Sequence, residues 1–439
     1  MKRVYHPEKN VYEAAWERLE FVFREFDKIV VSFSGGKDSG VLLNLVLDYV
    51  KANNIQTKIG VQVMDNEANY EYSIDYMRRM IDNNREYLDV YWCCLPVTLG
   101  CTVSSYEIDW QPWGEPDRDR WVRPMPDMDY VINRENCPFP FWQDNMDVYH
   151  YWDKFSEWYA DGQRCANLVG IRTAESLNRF RTIMNADKET LHGRMWTKKN
   201  SEHVYNVYPI YDWTTEDVWT ANARFEWDYN KLYDVFYMAG VPISKMRVAS
   251  PFMSESKASL NLYRVIDPHT WARLCARVQG ANFMATYGKQ LSYSTFELPE
   301  GHTWKSFTKF LLATLPKESA ENFKSRFAQA ITYWARVGRG LSDEVVDDLD
   351  RLGVNYRLNG TTPHGGNSLK RVRIPPPIPD HLDNLRAHNS EVHSWKRFAI
   401  TILKNDHTCK YMGLAPTQEQ QRRQRQIQRK YGSVMENRK

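Results

Sequence analysis

Several features that define common protein classes are missing from this chain of 439 residues. It has no apolar run of about 18 residues, the length that a membrane-spanning helix needs, and its first residues lack the apolar core of a secretory signal. The formal net charge is only +3, which is too small to indicate nucleic-acid binding by itself. The seven cysteines include no Cys-x-x-Cys pair, and their odd number is typical of reduced thiols. The sequence therefore predicts a cytoplasmic protein with no membrane segment.

What the chain does contain is a glycine-rich loop after a buried strand. The apolar run Ile29–Phe33 leads into Ser-Gly-Gly-Lys-Asp-Ser at positions 34–39 and then into a helical pattern. Glycines let the backbone turn tightly around an anion, and the N–H groups at a helix start point at it. Lys37 adds a mobile positive charge. We therefore predict a nucleotide-binding loop made of Ser34, Gly35, Gly36, Lys37, Asp38 and Ser39. It is not a Walker A loop, because the Gly-x-x-x-x-Gly-Lys-Ser/Thr spacing is absent, and an ordinary strand-to-helix turn is the alternative.

Strands and helices alternate around this loop. Helical spacing over 9–26 precedes the first strand, and further strands are predicted at 58–64, 88–92 and 166–170. This order predicts an α/β fold with a parallel, doubly wound sheet, in which ligands lie beyond the carboxyl ends of the strands. We expect three regions: a nucleotide-binding domain over 1–265, a mainly α-helical domain over 266–416, and a basic tail over 417–439.

Two stretches interrupt the regular patterns. Residues 95–150 are rich in tryptophan and proline and predict an irregular insertion or lid. Residues 359–379 hold three glycines and three consecutive prolines, which predict a linker or a surface loop.

Acidic residues follow the second predicted strand, at the edge where the loop also lies. Asp65 and Glu67 come directly after the run that ends at Met64. Magnesium usually takes one or two carboxylates together with phosphate oxygens and water. We predict a nucleotide-site role for Asp65 and a magnesium site made by Asp38 and Asp65. The alternative is that Asp65 or Glu67 caps the next helix.

Arginines follow a further strand and glycine turn. The segment Gly170-Ile171-Arg172-Thr173 leads into a helix predicted to open near Thr173. The planar guanidinium group donates paired hydrogen bonds that suit phosphates. Gly170, Arg172 and Arg179 therefore complete the predicted nucleotide site, although Arg179 also fits a solvated helix face.

The three motifs together resemble those of the phosphoadenosine phosphosulfate (PAPS) reductase family within the N-type ATP pyrophosphatase (PP-loop) superfamily. They are the loop at 34–39, Gly-Ile-Arg-Thr-Ala-Glu-Ser at 170–176, and Pro-Ile-Tyr-Asp-Trp-Thr-Thr-Glu-Asp-Val-Trp at 209–219. The C-terminal part is similar to a bacterial and phage branch of the immunoglobulin-binding regulator A (IbrA) type, often paired with a ParB-like partner.

The resemblance implies binding of ATP, or of a related adenylate such as PAPS, with Mg²⁺. We expect cleavage of ATP between the α- and β-phosphates to activate an acceptor. Lys37, Asp38 and Arg172 are the expected catalytic residues. The alternative is a nucleotide-sensing regulator that acts with a ParB-like partner or with DNA through the basic tail at 420–430.

Reduction of PAPS is the third candidate chemistry. In the family it needs a cysteine in a Glu-Cys-Gly-Leu/Ile-His segment, whereas the late cysteine here, Cys409, lies in His-Thr-Cys-Lys. Iron–sulfur members use a Cys-Cys pair and a later Cys-x-x-Cys. The spacing of Cys93, Cys94, Cys101 and Cys137 does not match that pattern, so we do not expect a cluster.

Overall fold

The fold is described from a computed structural model of the chain. The structure describes residues 8–253, 260–282, 284–285, 298–364, 367–383, 392–409 and 412. They divide into two compact units. One unit is built from the residues up to Leu99 and from Asp109 to Val278, and the other from Gly100–Ile108 and the residues from Gln279 onward. The basic tail at 417–439 lies outside the described residues.

A seven-stranded sheet forms the centre of the first unit. Its strands are β1 (Lys28–Ser32), β2 (Ile59–Met64), β3 (Leu88–Cys93), β6 (Val131–Ile132), β7 (Cys165–Val169), β8 (Thr197–Lys199) and β9 (Val204–Val207), and the short strands β4 (Leu99–Gly100) and β5 (Asp109–Trp110) lie outside this sheet. The strand order is β6-β3-β2-β1-β7-β9-β8, and every pairing is parallel except that of β8 with β9. The predicted α/β class with a mostly parallel sheet is confirmed.

The helices of this unit include the crossovers that join its parallel strands. They are α1 (Val11–Glu25), α2 (Lys37–Ala52), α3 (Glu71–Asp82), α4 (Val148–Ala160), α5 (Leu177–Met184), α6 (Thr215–Arg224), α7 (Leu232–Met238), α8 (Tyr263–Ile266) and α9 (Pro268–Arg277). The predicted helix start near Thr173 is wrong. The helix cap is Ser176, whose hydroxyl accepts from the backbone N–H of Arg179, and α5 begins at Leu177. Helix α6 begins with a capping box formed by Thr214 and Asp217.

The core of the first unit lies on both faces of the sheet. Strand β1 is buried along its centre, and the run Val41–Leu47 of α2 is buried on every side. Because β2, β1 and β7 are parallel neighbours, their carboxyl ends meet at one edge of the sheet. The loop at 34–39, Asp65 and Gly170 follow those three ends, so the structure places them at the same edge as predicted.

The second unit combines helices with a small sheet. Its helices are α10 (Trp304–Thr314), α11 (Lys317–Arg336), α12 (Asp343–Arg351) and α13 (Trp395–Leu403), and its strands are β10 (Arg339–Leu341), β11 (Arg357–His364) and β12 (Asn367–Arg373). The antiparallel order is β10-β12-β11. The prediction of a linker or loop over 359–379 is therefore wrong for 359–364 and 367–373. The strands were missed because Gly360, at φ +76°, sits at a register shift and few apolar residues mark the pair.

Within the described part of the chain, no helix is both long and apolar enough to cross a membrane.

Candidate phosphate-loop site

The backbone of the loop is shaped by Gly35 and held by a distant asparagine. Gly35 has φ +69°, a conformation that L-residues rarely adopt, and a Cβ there would lie 2.9 Å from Met77 Cγ. The fully buried Asn230 donates from Nδ2 to the carbonyl oxygen of Gly35 at 2.9 Å and to Ser73 Oγ at 3.0 Å. Asn230 therefore positions the turn.

The two serines of the loop close it from inside. Ser39 Oγ lies 3.1 Å from Ser34 Oγ, accepts from the backbone N–H of Ser34 at 3.3 Å, and donates to the carbonyl oxygen of Gly36 at 3.1 Å. Helix α2 begins at Lys37, within this group of contacts. Its N-cap is Gly36, which has no side chain to accept from the first amides of the helix. The amides at the start of α2 therefore depend on other partners.

Lys37 is not the mobile, solvated charge that the sequence suggested. It is 6% exposed, and Nζ donates to the carbonyl oxygen of Met246 and to Asp38 Oδ2, both at 3.3 Å. Burial lowers the pKa of its ammonium group, the negative charge of Asp38 opposes this effect, and the positive charge of Arg172 adds to it. Lys37 is thus a preformed cation within the loop site.

Arg172 contacts the loop through Asp38. Its side chain is 2% exposed, and Nε donates to Asp38 Oδ1 at 2.7 Å. Nη1 lies 3.3 Å from the carbonyl oxygen of Trp213, and Nη2 lies 3.4 Å from Thr215 Oγ1. Arg172 therefore links the loop to the third sequence motif.

That third motif supports Arg172 from the other side. Asp212 forms a buried, two-point ion pair with Arg18 of α1, at 2.8 and 2.6 Å. Trp213 donates from Nε1 to the carbonyl oxygen of Val11 at 3.0 Å while its own carbonyl oxygen faces Arg172. The motif thus anchors α1 and orients the arginine, a role that its local spacing did not reveal.

Arg179 does not contact the loop in this structure. It pairs with Glu175 Oε2, and Arg247 donates from Nη2 to the carbonyl oxygen of Glu175 at 2.9 Å. The Glu175 side chain is 8% exposed, whereas both arginines are 37% exposed. The negative charge of Glu175 also raises the pKa of Lys37, against the effect of burial.

Asp65 and Glu67 join a buried network instead of facing the loop. Both are fully buried. Arg123 pairs with both carboxylate oxygens of Asp65, and Trp92 Nε1 donates to Oδ2 at 2.9 Å. Glu67 accepts from Arg277 Nε at 3.0 Å and from two backbone amides of the tryptophan-rich segment, at 2.8 and 3.0 Å. Neither carboxylate caps α3, whose N-cap is Tyr70.

The oxygens of Asp65 are therefore engaged by the protein itself. Among the described residues, no group of three or more His, Cys, Asp or Glu side chains is placed to hold a metal ion. Of the two carboxylates predicted to bind magnesium, Asp38 lies in the loop and Asp65 lies in the network with Arg123.

The cysteines singled out in the sequence are mostly buried. Cys93 and Cys94 lie at the end of β3, Cys101 is also buried, and Cys137 is half-buried. Burial raises the pKa of the Cys93 thiol to about 12. Cys409 packs in the core of the second unit with Phe323 and Ile402, and burial raises the pKa of its thiol to about 12 as well.

Several residues of the site were missed by sequence reasoning. They are Asn230, Tyr233, Met246 and Arg247, which contact the loop or Glu175 from a segment about 200 positions away. The signal available in the sequence was the aromatic segment Tyr229–Asp234, whose residue types by themselves indicate only an aromatic turn.

Comparison with known proteins agrees with the sequence motifs. A profile described as "Phosphoadenosine phosphosulfate reductase domain" matches residues 120–239, and "Domain of unknown function (DUF3440)" matches residues 240–423. The first match includes the Arg172 and Trp213 segments, and the 34–39 loop precedes it. The chain is 30% identical over 415 residues to "Uncharacterized protein YbdN" of Escherichia coli (strain K12), covering 93% of this chain and 91% of that protein.

Solved structures of three proteins are also similar. A PAPS reductase from Candida auris in a phosphate complex is 15% identical, with 55% of this chain and 89% of that chain covered and a TM-score of 0.31. An FMN adenylyltransferase from Candida glabrata with FMN and the ATP analogue AMPCPP is 14% identical, with 51% of this chain and 58% of that chain covered and a TM-score of 0.31. The U34-tRNA thiolase NcsA from Methanococcus maripaludis with its [4Fe-4S] cluster is 12% identical, with 63% of this chain and 78% of that chain covered and a TM-score of 0.31.

The motif order, the profile matches and the near full-length relative agree with one another. The chain belongs to the phosphoadenosine phosphosulfate reductase family and carries a C-terminal DUF3440 domain.

Proposed function

We propose that this protein binds an adenine nucleotide at the 34–39 loop and cleaves ATP between its α- and β-phosphates to activate an acceptor. One observation carries the proposal: Lys37 Nζ and Arg172 Nε lie 3.3 and 2.7 Å from the carboxylate of Asp38. Two buried cations beside one carboxylate leave net positive charge at the start of a helix. Helix N-termini and arginine forks both favour phosphate groups.

In the proposed reaction an oxyanion of the acceptor attacks the α-phosphorus. The new phosphorus–oxygen bond forms as the bond to the bridging oxygen breaks, and the electron pair leaves with pyrophosphate. Lys37 holds the β- and γ-phosphates. Arg172 keeps Asp38 oriented and offsets charge on the leaving group. Such catalysis depends on positioning and electrostatic stabilisation.

Magnesium fits this site only together with the nucleotide. Mg²⁺ takes one or two carboxylates plus phosphate oxygens, and it would neutralise phosphate charge. Asp38 is the loop carboxylate that would hold it. Asp65 would first have to give up its contacts with Arg123 and Trp92.

The test is to incubate the full chain with ATP and Mg²⁺ and to measure AMP and pyrophosphate. Lys37→Ala should abolish turnover. Lys51→Ala is the matched control, because Lys51 lies on the same helix and contacts Asn84 instead of the loop, at 2.9 Å. Absence of ATP binding by the wild-type chain would overturn the proposal.

A second candidate is a nucleotide-sensing regulator that acts through a ParB-like partner or DNA. It is favoured by the internal contacts of the loop, since bonds such as Lys37 to Met246 must rearrange when a nucleotide binds. The basic tail at 420–430, the proposed nucleic-acid contact, lies outside the described residues. Tight ATP binding without turnover would favour this candidate.

The third candidate, a PAPS reductase that uses Cys409, is the least supported. A thiol with a pKa near 12 holds very little thiolate at neutral pH. PAPS-dependent release of sulfite that is lost in Cys409→Ser would reverse this ranking.

A further inference from the structure

The phenolic oxygen of Tyr233 lies at the first amide of α2. It accepts a hydrogen bond from the backbone N–H of Lys37 at 3.0 Å. Tyr233 is 3% exposed, and its ring packs edge-on against Trp219 and Phe236, with centroids 5.3 and 6.2 Å apart. The hydroxyl is therefore held firmly in place.

This oxygen has the surroundings that a phosphate oxygen takes in a loop site. Phosphate oxygens at helix N-termini accept from successive or converging backbone N–H groups. The Tyr233 oxygen accepts from one such group, the backbone N–H of the lysine in the phosphate loop. A Cβ added at Gly36 would lie 3.7 Å from the same oxygen, so the hydroxyl sits directly over the glycine turn.

We propose that the Tyr233 hydroxyl occupies the position of a nucleotide phosphate oxygen and that the nucleotide must displace it. This inference rests on the proposed nucleotide binding at the 34–39 loop. Tyr233 then competes with the nucleotide and lowers the affinity of the loop for it, because a phosphate contact with the Lys37 N–H replaces the existing hydrogen bond to Tyr233.

Removing the hydroxyl should therefore strengthen binding. In Tyr233→Phe the ring still fills the space beside Trp219, but Lys37 N–H no longer has its phenolic partner before the phosphate arrives. One recovered hydrogen bond corresponds to a dissociation constant for ATP about three- to tenfold lower.

The experiment is calorimetric titration of the full chain with ATP, inorganic pyrophosphate and adenosine. Tyr229→Phe is the matched control, because the Tyr229 hydroxyl donates to the Asp234 carboxylate, at 3.0 and 3.1 Å, instead of contacting the loop. Tyr233→Phe should bind ATP and pyrophosphate more tightly and leave adenosine unchanged, and Tyr229→Phe should match the wild type. Unchanged or weaker ATP binding by Tyr233→Phe would overturn the inference while leaving the proposed function intact. No ATP binding by the wild type would instead defeat the proposed function.

A second measurement avoids any effect of the substitution on folding. With 3-fluorotyrosine placed at position 233 of the otherwise wild-type chain, the fluorine resonance should shift on addition of ATP or pyrophosphate. Adenosine alone should leave it in place. A resonance that does not move at saturating ATP would show that the hydroxyl is not displaced.

Discussion

A Cβ atom at Gly170 would lie 2.9 Å from the backbone carbonyl carbon and oxygen of Asp38. Real Cβ atoms do not approach backbone so closely, so the end of β7 can lie against the first turn of α2 only because residue 170 is glycine. This close approach also brings Arg172, two residues later, onto the Asp38 carboxylate.

Gly170→Ala should therefore separate β7 from the loop. Overpacking of this kind costs about 1–3 kcal/mol, and we expect ATP affinity to fall by about tenfold. Urea unfolding and ATP titration measure the two effects. Gly193→Asn is the control, because a Cβ there meets nothing within 4 Å and asparagine tolerates its φ of +69°. Equal behaviour of the two variants would refute the packing argument.

Arg172 and Asp38 should be coupled in stability but not in activity. Arg172→Gln alone leaves the Asp38 carboxylate without its closest cation and should cost about 3 kcal/mol. Asp38→Asn should cost less stability in the Arg172→Gln background than in the wild type, where it leaves two buried cations, Arg172 and Lys37, without their shared carboxylate. Both single variants and the double variant should lose pyrophosphate release. A double-mutant cycle by urea unfolding, run beside the AMP assay, tests this. Strictly additive stability losses would contradict the pairing.

Breaking the Glu67–Arg277 contact should destabilise the first unit, because it leaves one buried charge without its partner. Their side chains are 0% and 4% exposed. Glu67→Gln should therefore cost about 3 kcal/mol, and Glu67→Gln with Arg277→Met should cost less than the single change. The matched control is Asp129→Asn, which removes the exposed ion pair with Arg85 and should change the unfolding midpoint little. If Glu67→Gln and Asp129→Asn have the same unfolding midpoint, the Glu67–Arg277 contact does not stabilise the fold.

His393 should make the second unit sensitive to acid. It is 1% exposed, neither ring nitrogen has a hydrogen-bond partner among the residues that the structure describes, and burial lowers its pKa to about 3. Between pH 6.5 and about 3 the unfolded chain binds a proton at His393 that the folded chain does not. The free energy of unfolding is therefore highest above pH 6.5 and decreases as the pH falls through this range. At pH 5 the loss should be about 2 kcal/mol.

His393→Phe should remove this part of the acid sensitivity, since phenylalanine can pack against Trp334 and Phe398. Thermal unfolding at pH 7 and pH 5 provides the measurement. His381→Gln changes an exposed histidine and should behave as the wild type does. Identical pH profiles for His393→Phe and the wild type would rule out the titration of His393 as the cause.

Most of the framework of the first unit could be predicted from local patterns. Buried strands alternate with helices, and the capping box of Thr214 with Asp217 marks a helix start by itself. The pair β11–β12 could not be predicted, because its glycine- and proline-containing sequence carries little apolar alternation and its stability comes from pairing.

For the site, the sequence by itself determined the glycine turn, the helix start and the residue types that suit phosphate. These depend on neighbours along the chain, which spacing shows. Only the tertiary structure decided that Arg172 bonds Asp38 across 134 positions, that Asp65 is engaged by Arg123, and that the Tyr233 hydroxyl caps Lys37 across 196 positions. Such contacts arise where parallel strands end at one edge of the sheet, and local spacing carries no information about which distant side chains meet there.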